Sequence, residues 1–251
     1  MDVLLEQNSA NRQPGVTNVT VDTAELLQAR DFAELVREAR QLERRRVDLV
    51  SVRRQRAMRI GPARLKAVLD DSGLGICTVG FAGGFTGSLG RSYKAAVDDT
   101  RRALELAAEL KAHAVIVAPG SRERHIYNHA QRIVRDGLYD CLDDALRLRI
   151  NMLLPLNAIF GNRKDVFHPR DETPLEWVSA FESHRIRPMM TLRGSSPWNG
   201  LPDCWQRCLN DGGMLRVSRR CRATLGGHNV LSDMLSQLTE TEVAGSQGPV
   251  G

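Results

Sequence analysis

The densest group of side chains capable of chemistry follows a short apolar run near the middle of the chain. Ala114–Ala118 reads AVIVA, and the Pro119-Gly120 pair after it predicts a turn. The polar groups that come next include hydroxyl, guanidinium, imidazole, phenol and amide: Ser121, Arg122, Arg124, His125, Tyr127, Asn128 and His129. Such side chains hydrogen-bond sugar hydroxyls and bind anions, and imidazole also transfers protons near neutral pH. This loop is therefore the first candidate site.

The spacing within the loop suggests individual roles. His125 and His129 are four residues apart, so a helix that includes both places them on one face, where they would hold a metal ion or bracket a substrate. No glutamate lies between them, so this is not the HExxH arrangement. The alternative is that both histidines hydrogen-bond neighbouring loops and strands. Tyr127 and Asn128 are candidates for orienting a sugar hydroxyl, and Asn128 is alternatively the helix N-cap.

Two further candidate side chains follow other predicted strands. Asn157 comes after the Asn151–Leu156 strand pattern, and Arg193 comes after the Arg187–Leu192 pattern. The carboxyl ends of parallel strands meet at one end of a sheet, where ligands bind in such folds. We therefore expect both side chains to face the same end of the sheet as His125.

The elements that must position these residues alternate along the chain. Strand patterns occur at Val19–Val21, Val47–Val52, Leu74–Val79, Ala114–Ala118, Asn151–Leu156, Arg187–Leu192 and Met214–Val217. Helical patterns occur at Phe32–Arg46, Pro62–Asp71, Ala95–His113, Asn128–Arg149, Pro174–Ser183, Asp203–Asn210 and Val230–Leu238. This alternation predicts an α/β fold of the TIM-type (β/α) barrel class, incomplete or irregular at its C-terminal end. An open doubly wound sheet is the alternative, but no dinucleotide-binding fingerprint opens the first unit.

The domain organisation follows from these patterns. Residues 1–16 are polar and predict a loose N-terminal arm, whereas residues 17–220 contain the predicted barrel. Residues 221–251 form a C-terminal extension whose last residues are rich in Gly, Ser and Pro, which predicts disorder.

Composition predicts a soluble cytoplasmic protein. The chain has 251 residues, of which 42% are hydrophobic, and its five cysteines lack the paired spacing of small secreted domains. Its first residues show no basic segment followed by an apolar core, so no secretory signal is predicted. The longest apolar run, Met152–Phe160, is too short to cross a bilayer.

The positive charge is concentrated in arginines. The formal net charge is +5, and the densest cluster comprises Arg44, Arg45, Arg46, Arg53, Arg54, Arg56 and Arg59. Guanidinium groups suit a sugar phosphate or a nucleic-acid backbone, whereas the alternative is a solvated surface. No aromatic residue is interleaved with these arginines, which disfavours base stacking and makes a nucleic-acid partner the weaker interpretation.

Two other patterns have weaker chemical implications. The glycine-rich stretch Gly80–Tyr93 follows a strand and suits a phosphate or sugar contact, but its spacing matches neither a Walker A loop nor GxGxxG. A flexible loop over the barrel is the alternative. Cys204, Cys208, Cys221 and His228 lack recognised zinc-ligand spacing, so plain core residues are the simpler interpretation for the cysteines.

Beyond these patterns, several segments resemble a known family. SGLGICTVGFAGGFTG at Ser72–Gly87, AAVDDTRRALELAAELKAHAVIVAPGS at Ala95–Ser121, HIYNHA at His125–Ala130 and RIVRDGLYDCLDDALRLRINMLLPLN at Arg132–Asn157 carry the likeness. The chain thereby resembles the sugar phosphate isomerase/epimerase family, the xylose isomerase-like TIM barrels, which also contain endonuclease IV. The resemblance covers Phe32–Asn157 and fades beyond it.

The resemblance implies a metal-dependent chemistry that the residues do not match. Family members hold a divalent cation such as Mn or Mg with carboxylates and a histidine on the later strands, and move a proton beside a carbonyl. Here the expected glutamate falls on Leu154 or Pro155, and the next strand has Met189, Met190, Thr191 and Leu192 where an aspartate is expected. The glutamate of the last strand cannot be located. We therefore predict that the metal-binding carboxylates are lost and that no metal cofactor is used.

Three functional hypotheses remain open. The first is an isomerase- or epimerase-like protein that acts on or binds a sugar or sugar phosphate, with His125, Tyr127, Asn128, His129, Asn157 and Arg193 as substrate-binding residues. The second is a catalytically inactive barrel that binds a ligand or a protein. The third, endonuclease IV-like processing of nucleic acid, requires zinc ligands that the sequence lacks. Catalytic residues and oligomeric state stay unassigned.

Overall fold

A computed structural model describes residues 20–22, 24–87, 90–122, 124–155, 174–192 and 213–217. The strands are β1 (Thr20–Asp22), β2 (Glu25–Leu26), β3 (Leu49–Arg53), β4 (Gly75–Gly83), β5 (Ala114–Ala118), β6 (Asn151–Pro155), β7 (Ile186–Leu192) and β8 (Met214–Val217). The helices are α1 (Phe32–Arg44), α2 (Arg54–Ile60), α3 (Pro62–Asp71), α4 (Tyr93–Glu109), α5 (Tyr127–Tyr139), α6 (Leu142–Leu148) and α7 (Pro174–Ser179). Helices separate most successive strands, as a parallel sheet requires.

The strands of the described residues form one parallel sheet in the order β1-β8-β7-β6-β5-β4-β3-β2. The two edge strands, β1 and β2, are separated by only two residues of the chain. β1 pairs with β8 while β2 pairs with β3, so the two edges of the sheet meet at the first strand position. The hydrogen-bonded ladder is interrupted there, and the chain itself links its two edges.

This arrangement confirms the predicted TIM-type barrel and its irregularity. Because β1 and β2 share one position, the described strands occupy seven positions around the ring, where a regular TIM barrel has eight. β8, the last described strand, pairs directly with β1. The described barrel therefore reaches β1 again after seven strand positions instead of eight.

Two apolar clusters lie on opposite faces of the sheet. The larger one lies between the strands and the surrounding helices and includes Val50, Val52 and Leu154. The smaller one fills the barrel interior: Ala24, Cys77, Ala114, Ile116, Leu153, Met189 and Met214. Side chains alternate between faces along a strand, so these clusters identify the side to which each strand residue points.

Local sequence explains the first helix and the loop before it. Asp31 caps α1 by accepting a hydrogen bond from the Glu34 amide at 2.8 Å. Glu38 in the same helix accepts from the Gln28 amide at 2.8 Å and from the Ala29 amide at 2.6 Å. α1 thus holds the segment that follows the first strand position.

Three of the differences from the sequence-based boundaries concern the elements around the candidate site. The predicted Asn128–Arg149 helix is two helices, α5 and α6, separated at Asp140 and Cys141, where the Cys141 amide donates to the Leu138 carbonyl three residues earlier at 3.2 Å instead of four residues earlier. β4 continues to Gly83 because its last residues pair with β5. α2 begins directly after β3 and contains much of the arginine cluster.

Candidate functional site at the carboxyl ends of the strands

The loops after β4 and β5 are tied together by backbone contacts. The Gly84 amide donates to the Ala118 carbonyl at 2.8 Å, and the Gly83 amide donates to Thr100 Oγ1 at 3.2 Å. The Thr86 hydroxyl donates to the Ser121 carbonyl at 2.6 Å. These glycine amides therefore bond groups of the protein itself. The proposed phosphate contact of the glycine-rich stretch receives no support from them.

His125 completes this connection. Its Nε2 lies 3.1 Å from the Thr86 carbonyl oxygen, and a carbonyl only accepts, so Nε2 carries the proton and donates. In the neutral ring, Nδ1 then keeps its lone pair. His125 is half-buried, and its carbonyl accepts from Arg122 Nη1 at 2.7 Å. The imidazole thus has a structural bond at one nitrogen and an acceptor at the other.

His129 lies beside His125, as the four-residue spacing predicts. The two ring centroids are 5.0 Å apart with the planes inclined at 59°. Arg132 Nη2 lies 3.0 Å from His129 Nδ1, and a guanidinium only donates, so a neutral His129 carries its proton on Nε2. The pair therefore presents an acceptor on His125 and a donor on His129.

Tyr127 joins the same cluster, whereas Asn128 does not. The Arg122 guanidinium carbon lies 4.5 Å from the centroid of the Tyr127 ring, a cation–π contact. Asn128 is exposed, and the N-cap of α5 is Ile126, so Asn128 does not cap the helix. The cap interpretation of Asn128 was wrong because the first helical turn begins one residue earlier, at Tyr127.

A separate set of residues lies on the interior side of the strand ends, here called the barrel mouth: Arg53, Gly80 and Pro155, with Phe81 next to Gly80 in the chain. Arg53 pairs in register with Gly80, and Gly80 pairs with Ile116 of the interior cluster. A side-chain carbon at Gly80 would lie 3.3 Å from Ile116 Cβ, which confirms that this face is the interior. Phe81 follows at an irregularity of the β4–β5 pairing and is 58% exposed.

The Asp99 carboxylate of α4 binds several arginines. Asp99 Oδ1 lies 2.8 Å from Arg54 Nη2, and Oδ2 lies 2.7 Å from Arg91 Nη1. Burial by itself raises the pKa of Asp99, but the hydrogen bonds and charges of Arg54 and Arg91 outweigh it and hold the pKa below its usual value. Asp99 therefore stays ionised and fixes α2 and the glycine-rich stretch to α4.

Comparison by sequence finds no matching family model and no matching curated protein. Comparison by fold does find similar solved structures. 3-Keto-D-glucoside 4-epimerase YcjR from E. coli has a TM-score of 0.57 at 13% identity, over 88% of this chain and 99% of that one. D-Psicose 3-epimerase from Clostridium cellulolyticum, solved with D-tagatose, has a TM-score of 0.56 at 12% identity, over 79% of this chain and 84% of that one. A xylose isomerase-like TIM barrel/4-hydroxyphenylpyruvate dioxygenase fusion protein has a TM-score of 0.56 at 11% identity, over 80% of this chain and 38% of that one.

The chain has the xylose isomerase-like TIM-barrel fold. The resemblance noted in the sequence is thereby confirmed at the level of the fold. Identities this low establish architecture alone, so the sugars and activities named above are properties of those other proteins.

The ends of β3 and β6 in this xylose isomerase-like barrel offer no side-chain ligand for a divalent cation. Of the two positions expected to hold a glutamate, Leu154 packs in the outer core, and Pro155 pairs with Met189 on the interior face. Neither side chain has a ligand atom, and β3 ends in the cationic Arg53. Within the described residues, no three His, Cys, Asp or Glu side chains converge on a metal position.

Other predicted residues fall outside the described part of the barrel. These are Asn157, Arg193, the Cys204, Cys208, Cys221 and His228 set, and the predicted Asp203–Asn210 and Val230–Leu238 helices. The predicted N-terminal arm, residues 1–16, and the predicted extension, residues 221–251, also lie outside it. Among the described helices, none combines the length and apolar character that a bilayer-spanning segment needs.

Sequence reasoning missed the individual roles of Arg53 and Asp99. The alternation of Val50 and Val52 with Ser51 and Arg53 was a usable signal, since it places Arg53 on the face opposite the valines. The pairing of Asp99 with Arg54 had no local signal because 45 residues separate the two along the chain.

Proposed function

We propose that the protein binds a sugar or sugar phosphate at the barrel mouth, without the divalent cation that the family resemblance implies. The observation that carries the proposal is Pro155, which occupies the interior position at the end of β6. A proline side chain neither coordinates a cation nor transfers a proton. The position that would serve metal-dependent isomerisation is therefore apolar.

Other features of the same end of the barrel support sugar binding. Phe81 offers a largely exposed ring, and aromatic faces pack against the apolar C–H faces of small ligands. The loop after β5 adds His125 Nδ1 as an acceptor and Tyr127 as a polar aromatic group. Asn157 and Arg193 follow β6 and β7 in the sequence, and we include them as substrate-binding residues.

The test is titration calorimetry with a panel of ketoses, aldoses and their phosphates, repeated with EDTA and with added Mn or Mg. We expect saturable binding whose affinity EDTA leaves unchanged, and no turnover under any of these conditions. His125→Ala is expected to weaken binding. His113→Ala is the matched control, because His113 is exposed at the opposite, amino-terminal end of β5. Turnover that Mn or Mg restores after chelation would disprove the proposal.

A second candidate function rests on the histidine pair. With an acceptor nitrogen on His125 and a donor nitrogen on His129, on rings 5.0 Å apart, His125 would take the proton from the carbon beside a carbonyl while His129 hydrogen-bonds the carbonyl oxygen. His125 would then return that proton to the resulting enediolate, and no metal is needed. Turnover that is insensitive to EDTA and abolished by His125→Ala would favour this isomerase over the binding protein.

A further inference from the structure

The structure separates the arginines of the Arg44–Arg59 cluster into bonded and unbonded groups. Arg45 lies 2.5 Å from Glu25, Arg54 contacts Asp99, and Arg56 Nη1 donates to the Leu27 carbonyl at 2.6 Å. Arg53 is exposed, and its side chain makes no hydrogen bond or ion pair within the described part of the chain. Its charge is thus not used by the contacts that hold α2 in place.

Arg53 is also the member of the cluster that ends a strand on the interior face. Its same-face neighbour in β3 is the buried Ser51, whose hydroxyl contacts Thr78 Oγ1 at 2.8 Å. In the adjacent strand its register partner is Gly80, which has no side chain to cover the guanidinium. Arg53 therefore ends β3 at the barrel mouth, beside a strand residue that contributes no side chain of its own.

The surroundings of Arg53 favour an anion. The next residue, Arg54, shares the Asp99 carboxylate with Arg91 and Arg102, all within 3.7 Å of it, which leaves an excess of positive charge in this group. Positive charge at a mouth with apolar walls concentrates anions there. A guanidinium also matches the planar geometry of a carboxylate or phosphate with two parallel hydrogen bonds.

We infer that Arg53 binds the anionic group of the ligand, so that the ligand class is a sugar phosphate or a sugar acid. The inference rests on the proposed binding of a sugar at the barrel mouth. It adds that the Arg53 guanidinium makes the site prefer anionic sugars over neutral ones. Phosphate and carboxylate share the chemistry that Arg53 recognises, and matched ligands distinguish them.

The test compares wild type, Arg53→Gln and Arg59→Gln by calorimetry at low ionic strength. The probes are inorganic phosphate and a panel in which each neutral sugar is matched with its phosphate and its acid. Arg59 is the control because it is an exposed arginine of α2, the helix that follows Arg53, so both variants lose one charge. Circular dichroism confirms that the variants are folded.

We expect one anionic series to bind at least about tenfold more tightly than its neutral counterparts, with inorganic phosphate competing if that series is the phosphates. Arg53→Gln should remove this preference and leave neutral-sugar affinity within about twofold, and Arg59→Gln should change neither. Neutral sugars that bind as tightly as their anions would overturn the inference and leave the proposed function intact. Absence of binding across the whole panel would overturn both.

Binding of a polyanion, single-stranded DNA, to the wild type and both variants is the last part of the test. If single-stranded DNA binds, and Arg53→Gln and Arg59→Gln weaken it equally, the arginines act as a general charged surface and the assignment of Arg53 is wrong. If competition by inorganic phosphate disappears in Arg53→Gln alone, the specific role is supported.

Discussion

His125 illustrates how a side chain suited to catalysis also serves the architecture. Its Nε2 donates to the Thr86 carbonyl and connects the loops after β4 and β5, while only Nδ1 keeps the acceptor that chemistry requires. The sequence identified both His125 and His129 from their spacing. It could not identify the Thr86 bond, because a backbone carbonyl carries no residue-specific signal and lies 39 residues away.

Asp99 yields a prediction at the residue scale. Asp99→Asn should lower the free energy of unfolding at pH 7 by about 2–4 kcal/mol, because it leaves Arg54 and Arg91 without their carboxylate. The pKa of Asp99 is lowered in the folded state, so its stabilisation is present above the unfolded value of about 3.9 and is lost as pH falls through the folded value. Urea denaturation between pH 7 and pH 2 should show the gap between wild type and variant closing below about pH 4.

The control for this prediction is Asp98→Asn. The Asp98 side chain is 43% exposed and lies 3.9 Å from Arg101, so its removal should cost less than about 1 kcal/mol. A gap between wild type and Asp99→Asn that stays constant down to pH 2 would show that ionisation of Asp99 does not stabilise the fold.

At the scale of elements, β4 and β5 lie so close together at their carboxyl ends that the residue at position 83 must be glycine. Gly83 has a φ of 96°, and a side-chain carbon there would lie 2.1 Å from the Ala118 carbonyl oxygen. The sequence showed a glycine-rich stretch and suggested a ligand loop. The structure shows that Gly83 is required for packing of the two strands, since no side chain fits between them.

Gly83→Ala is therefore expected to destabilise the protein severely, by about 3 kcal/mol or more, through backbone strain and the clash with Ala118. Gly61→Ala is the matched control, since Gly61 has a nearly identical φ of 94° but no atom within 4 Å of the added carbon. It should cost only the conformational strain, about 1–2 kcal/mol. Equal losses in urea denaturation would indicate that the close approach to Ala118 contributes nothing.

For the whole molecule, the ring depends on the first strand position. β1 supplies the neighbour of β8 and β2 supplies the neighbour of β3, so loss of this segment exposes both sheet edges. The fully buried Leu27 follows directly. The barrel therefore depends on residues close to the start of the chain.

Two deletions test this dependence. Removal of residues 2–16, the predicted loose arm, should change Tm by less than about 3 °C. Removal of residues 2–27 should abolish cooperative melting and produce aggregates in size-exclusion chromatography, because two parallel edges become available for pairing. A longer deletion that remains a cooperatively melting monomer would show that the first strand position is dispensable.

The sequence by itself determined the alternation of strands and helices and the histidine spacing, because these depend on neighbours a few residues apart. It also exposed the lack of a glutamate at Leu154 and Pro155. Only the tertiary structure decided that Pro155 faces the barrel interior. It also decided that Arg54 forms an ion pair with Asp99, whereas the side chain of Arg53 forms none within the described residues. These outcomes depend on strand register and on partners distant in the chain, which local patterns do not encode.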